Sequence, residues 1–355
     1  ISYPSNTPSE LSQFSPDPIS IDSYPGSFIT FMRYDQSSHN LNLGDIRGNL
    51  YSYDFAKNKT LPMGRFGIGI VDYTEKEGVR YITSVGQLNP SELASGRIFI
   101  NADNKTTLLP QILHRPVNTL VADLDKDGNE ELVVSEFGDL TGELALFTKK
   151  GNTEYKKKVL LGQPGSNRII AKDMDGDGKE DLIVQTAQGD EGITIFYQQD
   201  SLKFRAEKVI RVSPLYGSSW FDLVDYDGDG DEDIITVNGD NADKSIVLKP
   251  YHGLRVYIND GKNQFKESYF YAMNGATRLV ASDFDQDGDI DFGIVSTFPD
   301  YKKQPENSFV YLENTDAMGY KFKPYTFMDS QIGRWFLMDT ADVDFDGDVD
   351  IILSS

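Results

Sequence analysis

A motif that returns five times constrains this chain more than any other feature. ADLDKDGNEEL from Ala122, KDMDGDGKEDL from Lys172, VDYDGDGDEDI from Val224, SDFDQDGDIDF from Ser282 and ADVDFDGDVDI from Ala341 share one arrangement of acids around a glycine. Their leading aspartates, Asp123, Asp173, Asp225, Asp283 and Asp342, are separated by 50, 52, 58 and 59 residues. A period of that size marks an array in which each copy is one supersecondary unit. Each cluster follows a short apolar run such as Thr119-Leu-Val-Ala and precedes another such as Leu132-Val-Val, so it reads as a loop between two strands. A second strand pair follows in every repeat, for example Glu143-Leu-Ala-Leu-Phe and Lys158-Val-Leu-Leu. Four strands in about 50 residues make one blade of antiparallel sheet, and the expected class is an all-β propeller.

One step back from Asp123 lies Asp72, in IVDYTEKEGVRYITSVG, where Thr74 and Lys76 stand at the third and fifth positions. That blade is expected to hold no metal. Ser27 to Asp35, Asn40 to Asp45 and Asn49 to Asp54 supply an earlier unit, which brings the expectation to a seven-bladed β-propeller over residues 26–355. The last repeat shows only its first two strands before Ser355. Residues 1–25, rich in Pro and Ser, read as an extension that closes the ring with a strand such as Ile19 to Ser23; a natural chain continuing past Ser355 is the alternative.

The clusters dictate their own chemistry. In D-x-D-x-D-G-x-x-D/E the acids at positions 1, 3 and 5 converge, the glycine permits the sharp turn, position 7 offers its backbone carbonyl and the acid at 9 closes the shell. The expected ligand sets are Asp123, Asp125, Asp127, Asn129 and Glu131; Asp173, Asp175, Asp177, Lys179 and Asp181; Asp225, Asp227, Asp229, Asp231 and Asp233; Asp283, Asp285, Asp287, Asp289 and Asp291; and Asp342, Asp344, Asp346, Asp348 and Asp350. Oxygen-only donors on a flexible loop select Ca²⁺ over Mg²⁺, and a transition metal would ask for nitrogen or sulfur. The closing acid at position 9 and the flanking strands exclude an EF-hand. Five Ca²⁺ ions are therefore expected, because acids packed at alternate positions repel one another without a cation.

Composition supports that reading by exclusion. With 34 Lys and Arg against 56 Asp and Glu, the formal charge of −22 argues against nucleic acid or an anionic membrane as partner. The absence of cysteine rules out disulfides and thiolate chemistry in this stretch, and no apolar run is long enough to span a bilayer.

At these residues the sequence resembles the FG-GAP or VCBS repeat family, the calcium-bearing propellers of integrin α subunits and of many exported bacterial proteins. The resemblance runs from about Gly64 to Ser355 and includes segments such as GDEG at Gly189 and GDNAD…LKPYHG from Gly239; the FG dipeptide occurs at Phe66 and Phe137. It implies a propeller with Ca²⁺ in inter-strand loops, exported to the cell surface, the periplasm or the extracellular space. The role it implies is a non-enzymatic recognition or scaffold module in a bacterial cell-surface or outer-membrane assembly, with a protein partner or a glycan.

If the calcium loops join first to second strands, the second-to-third loops and blade connections emerge on the opposite face. That face is expected to carry function, chiefly through Asn238 to His252 and Phe298 to Ser308. Arg65, Arg115, Arg168, Arg278 and Arg334 recur near the starts of inner strands, with Trp220 at a sixth. They form either a basic ring at one mouth or pairs with carboxylates such as Asp222 and Asp339. His114 and His252, with Tyr251, fall on the same face and are the candidates for acid and base in an alternative reading as a calcium-dependent polysaccharide lyase; a carbohydrate-binding propeller is the other alternative. His39, in SSHN, reads as a turn residue.

Overall fold

The computed structural model describes residues 8–10, 28–89, 91–103, 105–151, 154–241, 247–328, 330–331 and 333–354. Six sheets built on four consecutive antiparallel strands succeed one another along the chain, the sixth gaining a fifth strand from the N-terminal segment, and a two-stranded sheet follows. Their inner strands are Ile29–Asp35, Ile70–Lys76, Pro116–Ala122, Ser166–Lys172, Ser218–Val224 and Ala276–Ser282, and Leu337–Ala341 opens the two-stranded sheet. The chain is an all-β propeller.

The second strands explain how the blades stack. Glu131–Glu136, Asp181–Thr186, Asp233–Asn238 and Asp291–Ser296 are buried at every position, since both faces of each strand meet a neighbouring blade. Their Leu, Ile and Val side chains form cores between blades: Val133 and Leu146 of blade three pack with Ile169, Leu182 and Phe196 of blade four. Each such side chain contributes about 1.5–3 kcal/mol on burial. The outermost strand of blade two, Lys105–Leu108, is exposed throughout, because nothing packs beyond it.

Six complete blades correct the expectation of seven. The fifth acidic motif signals only an inner strand pair, Leu337–Ala341 with Asp350–Ser354, and the motif alone does not supply the outer strands of a blade. The pair nevertheless closes the ring. On one side Leu337, Ala341 and Ile352 pack with Met32, Tyr34 and Leu43 of blade one; on the other Met338, Ile351 and Leu353 pack with Val280, Val295 and Tyr311 of blade six. The described N-terminal strand, Ser9–Glu10, runs parallel to Lys321–Thr326 at the outer edge of blade six instead of extending the two-stranded sheet. The proposed closing strand at Ile19 to Ser23 lies outside the described residues.

A second correction concerns Asp72. It sits within its inner strand opposite Thr83, and the turn that follows is only Glu77-Gly78, both with positive φ. That two-residue turn leaves no room for an acidic loop, so the step from Asp123 to Asp72 matches a loop position to a strand position.

All six complete blades share a register shift early in the inner strand, at Ile29/Phe31, Ile70/Asp72, Pro116/Asn118, Ser166/Arg168, Ser218/Trp220 and Ala276/Arg278. A bulge inserts one residue and re-aims the side chains beyond it. Here the re-aimed residues in blades two to six are Asp72, Asn118, Arg168, Trp220 and Arg278.

Candidate metal centres and binding face

Every acidic motif forms the loop between the first and second strands of its sheet, so all five emerge on one face. Oxygens of Asp123, Asp125 and Asp127 lie within 4.8 Å of one another, as do those of Asp173, Asp175 and Asp181; of Asp225, Asp227 and Asp229; of Asp283, Asp285 and Asp291; and of Asp342, Asp344 and Asp350. Backbone N–H groups build this convergence. In the first loop Asp127 N and Gly128 N donate to the two oxygens of Asp123 at 3.0 and 2.9 Å. Equivalent bonds hold Asp225 at 3.0 and 3.0 Å and Asp283 at 3.1 and 3.1 Å. The glycine follows at positive φ in each loop, Gly128, Gly178, Gly230, Gly288 and Gly347, which a side chain would strain.

The acid at position 9 does more than face the loop centre. Glu131, Asp181, Asp233 and Asp291 are buried, and each accepts the N–H of the residue after the leading aspartate, from Leu124, Met174, Tyr226 and Phe284. Asp350 accepts in the same way from Val343. In blades four to six the other oxygen accepts from the end of the third strand, Gln198 N, Asn259 N and Asn314 N, each at 2.7 Å. This residue therefore ties three strands together. Burial pushes the Glu131 carboxyl up to about 7 and those of Asp233 and Asp291 to about 6.

These loops fit a hard cation. Asp227 Oδ1 and Asp342 Oδ1, at positions 3 and 1 of their loops, are buried with no hydrogen-bond partner among the described residues, a costly state for carboxylate oxygens that a cation relieves. Asp289 is pushed up to about 6, first by burial and then by the charges of Asp287 and Asp285. When bound, Ca²⁺ would be held by the acids at positions 1, 3, 5 and 9 and would supply the missing positive charge. The second loop differs. At position 7, where only the backbone carbonyl was expected to serve, the Lys179 ammonium sits 2.7 Å from Asp177 and holds that carboxyl below its usual range. Beside this loop a surface cleft of about 450 Å³ is lined by Asp175, Asp177, Lys179, Tyr197, Asp200 and Arg205 among others.

On the opposite face Tyr251 and His252 meet edge to face with ring centroids 5.5 Å apart, whereas His114 belongs to a different blade. His252 belongs to blade five and is fully buried. Its Nδ1 lies 3.3 Å from Gly275 N, which can only donate, and its Nε2 lies 2.9 Å from Asn241 Oδ1. The ring is thereby fixed as the neutral Nε2–H tautomer, and burial pushes it down to about 4. His114, at the start of blade three, is half-exposed beside Glu136 at 3.6 Å. Tyr251 stacks on Tyr216 with ring centroids 5.2 Å apart. His39 has positive φ and lies 3.3 Å from the Tyr34 hydroxyl.

The five arginines also separate. Arg65 donates to the Arg47 carbonyl, Arg115 to those of Gly138 and Leu88, and Arg334 to that of Thr297, all at blade connections. Arg168 pairs loosely with Asp222 at 3.4 Å, and Arg278 faces Trp220. Asp339 accepts from Tyr34 N at 2.6 Å.

The long loops are only partly within view, because residues 242–246 lie outside the described ones. Lys249 Nζ binds the carbonyl and side chain of Asn241, each at 2.7 Å, folding the ends of that loop together. In the other loop Tyr301 is 60% exposed and its hydroxyl caps Thr297 O at 2.8 Å.

What sequence reasoning missed is where exposed apolar side chains gather. Phe28, Ile68, Leu93, Ile112, Leu140, Leu215, Val247, Tyr301 and Met328 all lie in blade connections or second-to-third loops, on the face opposite the acidic loops. Only Met318 and Phe345 of the exposed large hydrophobics described lie on the acidic face. The signal was present only in part: Leu93 and Leu140 interrupt polar or small-residue loops, whereas Phe28, Ile112 and Val247 adjoin other apolar residues and look like core.

FG-GAP-like repeats match residues 123–184 and 173–236, across the first three acidic loops. These repeats, together with the propeller fold, support a place among the FG-GAP/VCBS-repeat propellers. No curated protein matches its sequence. Among solved structures, a Bacteroides uniformis protein provisionally named a 6-phosphogluconolactonase is similar with a TM-score of 0.53 at 10% identity, covering 84% of this chain and 85% of that one. Regucalcin from Agrobacterium tumefaciens, a calcium-binding protein, reaches 0.47 at 10% identity over 82% and 90%. A gluconolactonase from Xanthomonas campestris reaches 0.47 at 10% identity over 76% and 83%. These likenesses concern the fold. The Bacteroides uniformis likeness also corrects the expectation of a non-enzymatic chain: a propeller of this fold carries an enzyme's name, so neither the fold nor the lack of a linear catalytic motif marks this propeller as a non-enzyme. Among the described residues no helix is long and apolar enough to cross a membrane.

Proposed function

We propose that this FG-GAP propeller is a calcium-stabilised recognition module that docks a protein partner on the face opposite its acidic loops. The band of exposed apolar residues from Phe28 round to Met328 carries this reading. Scattered apolar residues are ordinary on a surface, but their concentration on one face of a chain of charge −22 is what a protein-binding surface requires. The acidic loops on the other face supply rigidity. Five Ca²⁺ ions would bring the formal charge from −22 to −12, since five divalent ions add ten positive charges. Millimolar calcium outside the cell suits sites of this kind, which supports an exported chain in a cell-surface or outer-membrane assembly.

The test is capture of partners by the calcium-loaded protein and by a variant carrying Leu140→Glu and Leu215→Glu. A partner retained by the wild type and lost by a folded double variant supports the reading. A partner held equally by both removes this face from the account.

A further inference from the structure

The inner strands bring to the propeller axis a set of charged residues that neither the calcium loops nor the docking face uses. Asp72 is satisfied there: Arg33 lies 3.1 Å away, and Asn118 Nδ2 and Thr119 N each donate at 2.7 Å. Arg33 of blade one lies near enough to Arg168 of blade four and Arg278 of blade six for their charges to repel. Trp220 of blade five stands between the last two, with each guanidinium carbon 3.7 Å from its ring centroid. Arg168 and Arg278 are thus held in place by the indole, from the blades on either side.

Their hydrogen-bonding capacity is largely unspent. Arg168 has one long bond, 3.4 Å to Asp222, and its Nε is buried without a partner. Arg278 makes no hydrogen bond or ion pair with the described residues, although a guanidinium offers five donors. Asp339 is engaged by Tyr34 N, and Asp222 by Leu223 N. Burial, then Arg168 and Arg33, push Arg278 down to about 9. A guanidinium keeps its proton at neutral pH, so that field acts as a standing attraction for an anion. The Arg168 side chain is 19% exposed and that of Asp222 32%, so solvent reaches the group.

From this geometry we propose that the axis of the propeller is a binding site for a small oxyanion, a carboxylate or a phosphate monoester, which bridges the outward-facing N–H groups of Arg168 and Arg278 at the edge of the Trp220 ring that separates them. The planar fork of each arginine matches the paired oxygens of such groups. The bulge shared by the blades places Arg168, Trp220 and Arg278 at equivalent positions, which explains why three successive blades contribute to one site.

Trp220 and Trp335 are the two tryptophans, so in a Trp335→Phe background the emission reports on Trp220 alone. Titration of the calcium-loaded protein with acetate and with methyl phosphate, at constant ionic strength set by sodium chloride, is the experiment. A saturable emission change with either anion is expected, and the tighter of the two identifies the ligand class. Arg278→Gln should weaken it about tenfold or more. Should that variant lose its calcium-dependent thermal midpoint, calorimetric titration of a folded Trp220→Phe variant, expected to bind more weakly than wild type, takes its place. No saturation by either anion, or unchanged affinity in a folded variant, overturns the proposal.

Discussion

Blade six separates the two roles of its acids, and one pair of substitutions distinguishes them. Asp291 is fully buried and accepts from Tyr311 Oη at 2.6 Å, Asn314 N at 2.7 Å and Phe284 N at 3.2 Å. Asp291→Ala strands three donors, each at a cost of about 1–3 kcal/mol, and partial rearrangement brings the total to about 3–5 kcal/mol. This loss does not need calcium. Asp285, by contrast, is exposed and accepts in the loop only from Asp287 N, at 3.3 Å. Without calcium, Asp285→Asn removes one of several clustered like charges, and stability should stay within about 0.5 kcal/mol of the wild type. With free calcium at a hundred times its dissociation constant, one bound ion contributes about 2.7 kcal/mol, and the variant should lose up to that amount. Denaturant unfolding followed by circular dichroism, in calcium and in EGTA, measures all four values. An Asp285→Asn variant equally destabilised in both media would refute the metal assignment; an Asp291→Ala variant unaffected in EGTA would refute the strand-tying role.

Three further outcomes follow from particular contacts. Lys179→Met frees Asp177 from its ammonium and should tighten the second calcium site by about threefold to tenfold, read as a change in one step of a calorimetric calcium titration. Asp72→Ala leaves Asn118 Nδ2 and Thr119 N without this acceptor and Arg33 without its ion pair, though still bonded to the Tyr73 carbonyl, and should cost about 2–4 kcal/mol while bound calcium, counted by elemental analysis, stays unchanged. His252 has its folded pKa depressed to about 4 from 6.5, with Lys249 and Arg255 facing it. The unfolded chain therefore takes up that proton first: stability from this residue is complete above pH 6.5 and falls by on the order of 3 kcal/mol as pH drops towards 4. An imidazole resonance of His252 titrating near 6.5 in the folded protein would contradict the buried, neutral assignment.

How much of this was readable from the sequence depends on how far apart the interacting residues are along the chain. The acidic loops are local: nine residues contain the ligands, the turn glycine and the N–H groups that orient Asp123 or Asp225, so spacing alone exposes them. The axial cluster is the opposite case. Arg33 meets Asp72 across 39 positions, and Arg168 and Arg278 reach Trp220 from adjacent blades, contacts that exist only once the ring closes. A single bulge decides which residues face inward, and period-two alternation cannot show where the extra residue sits. Arg65, Arg115 and Arg334 therefore look like Arg168 and Arg278 in sequence, yet they spend their donors on carbonyls at the blade connections. The same reasoning explains the blade count. A motif encoded in the first hairpin reports that hairpin faithfully, whereas the outer strands carry no motif and the pairing of Ser9–Glu10 with blade six is settled more than 300 residues from its origin. Local chemistry in this propeller is written in the repeat, and the chemistry of its axis arises from how unlike the repeats are.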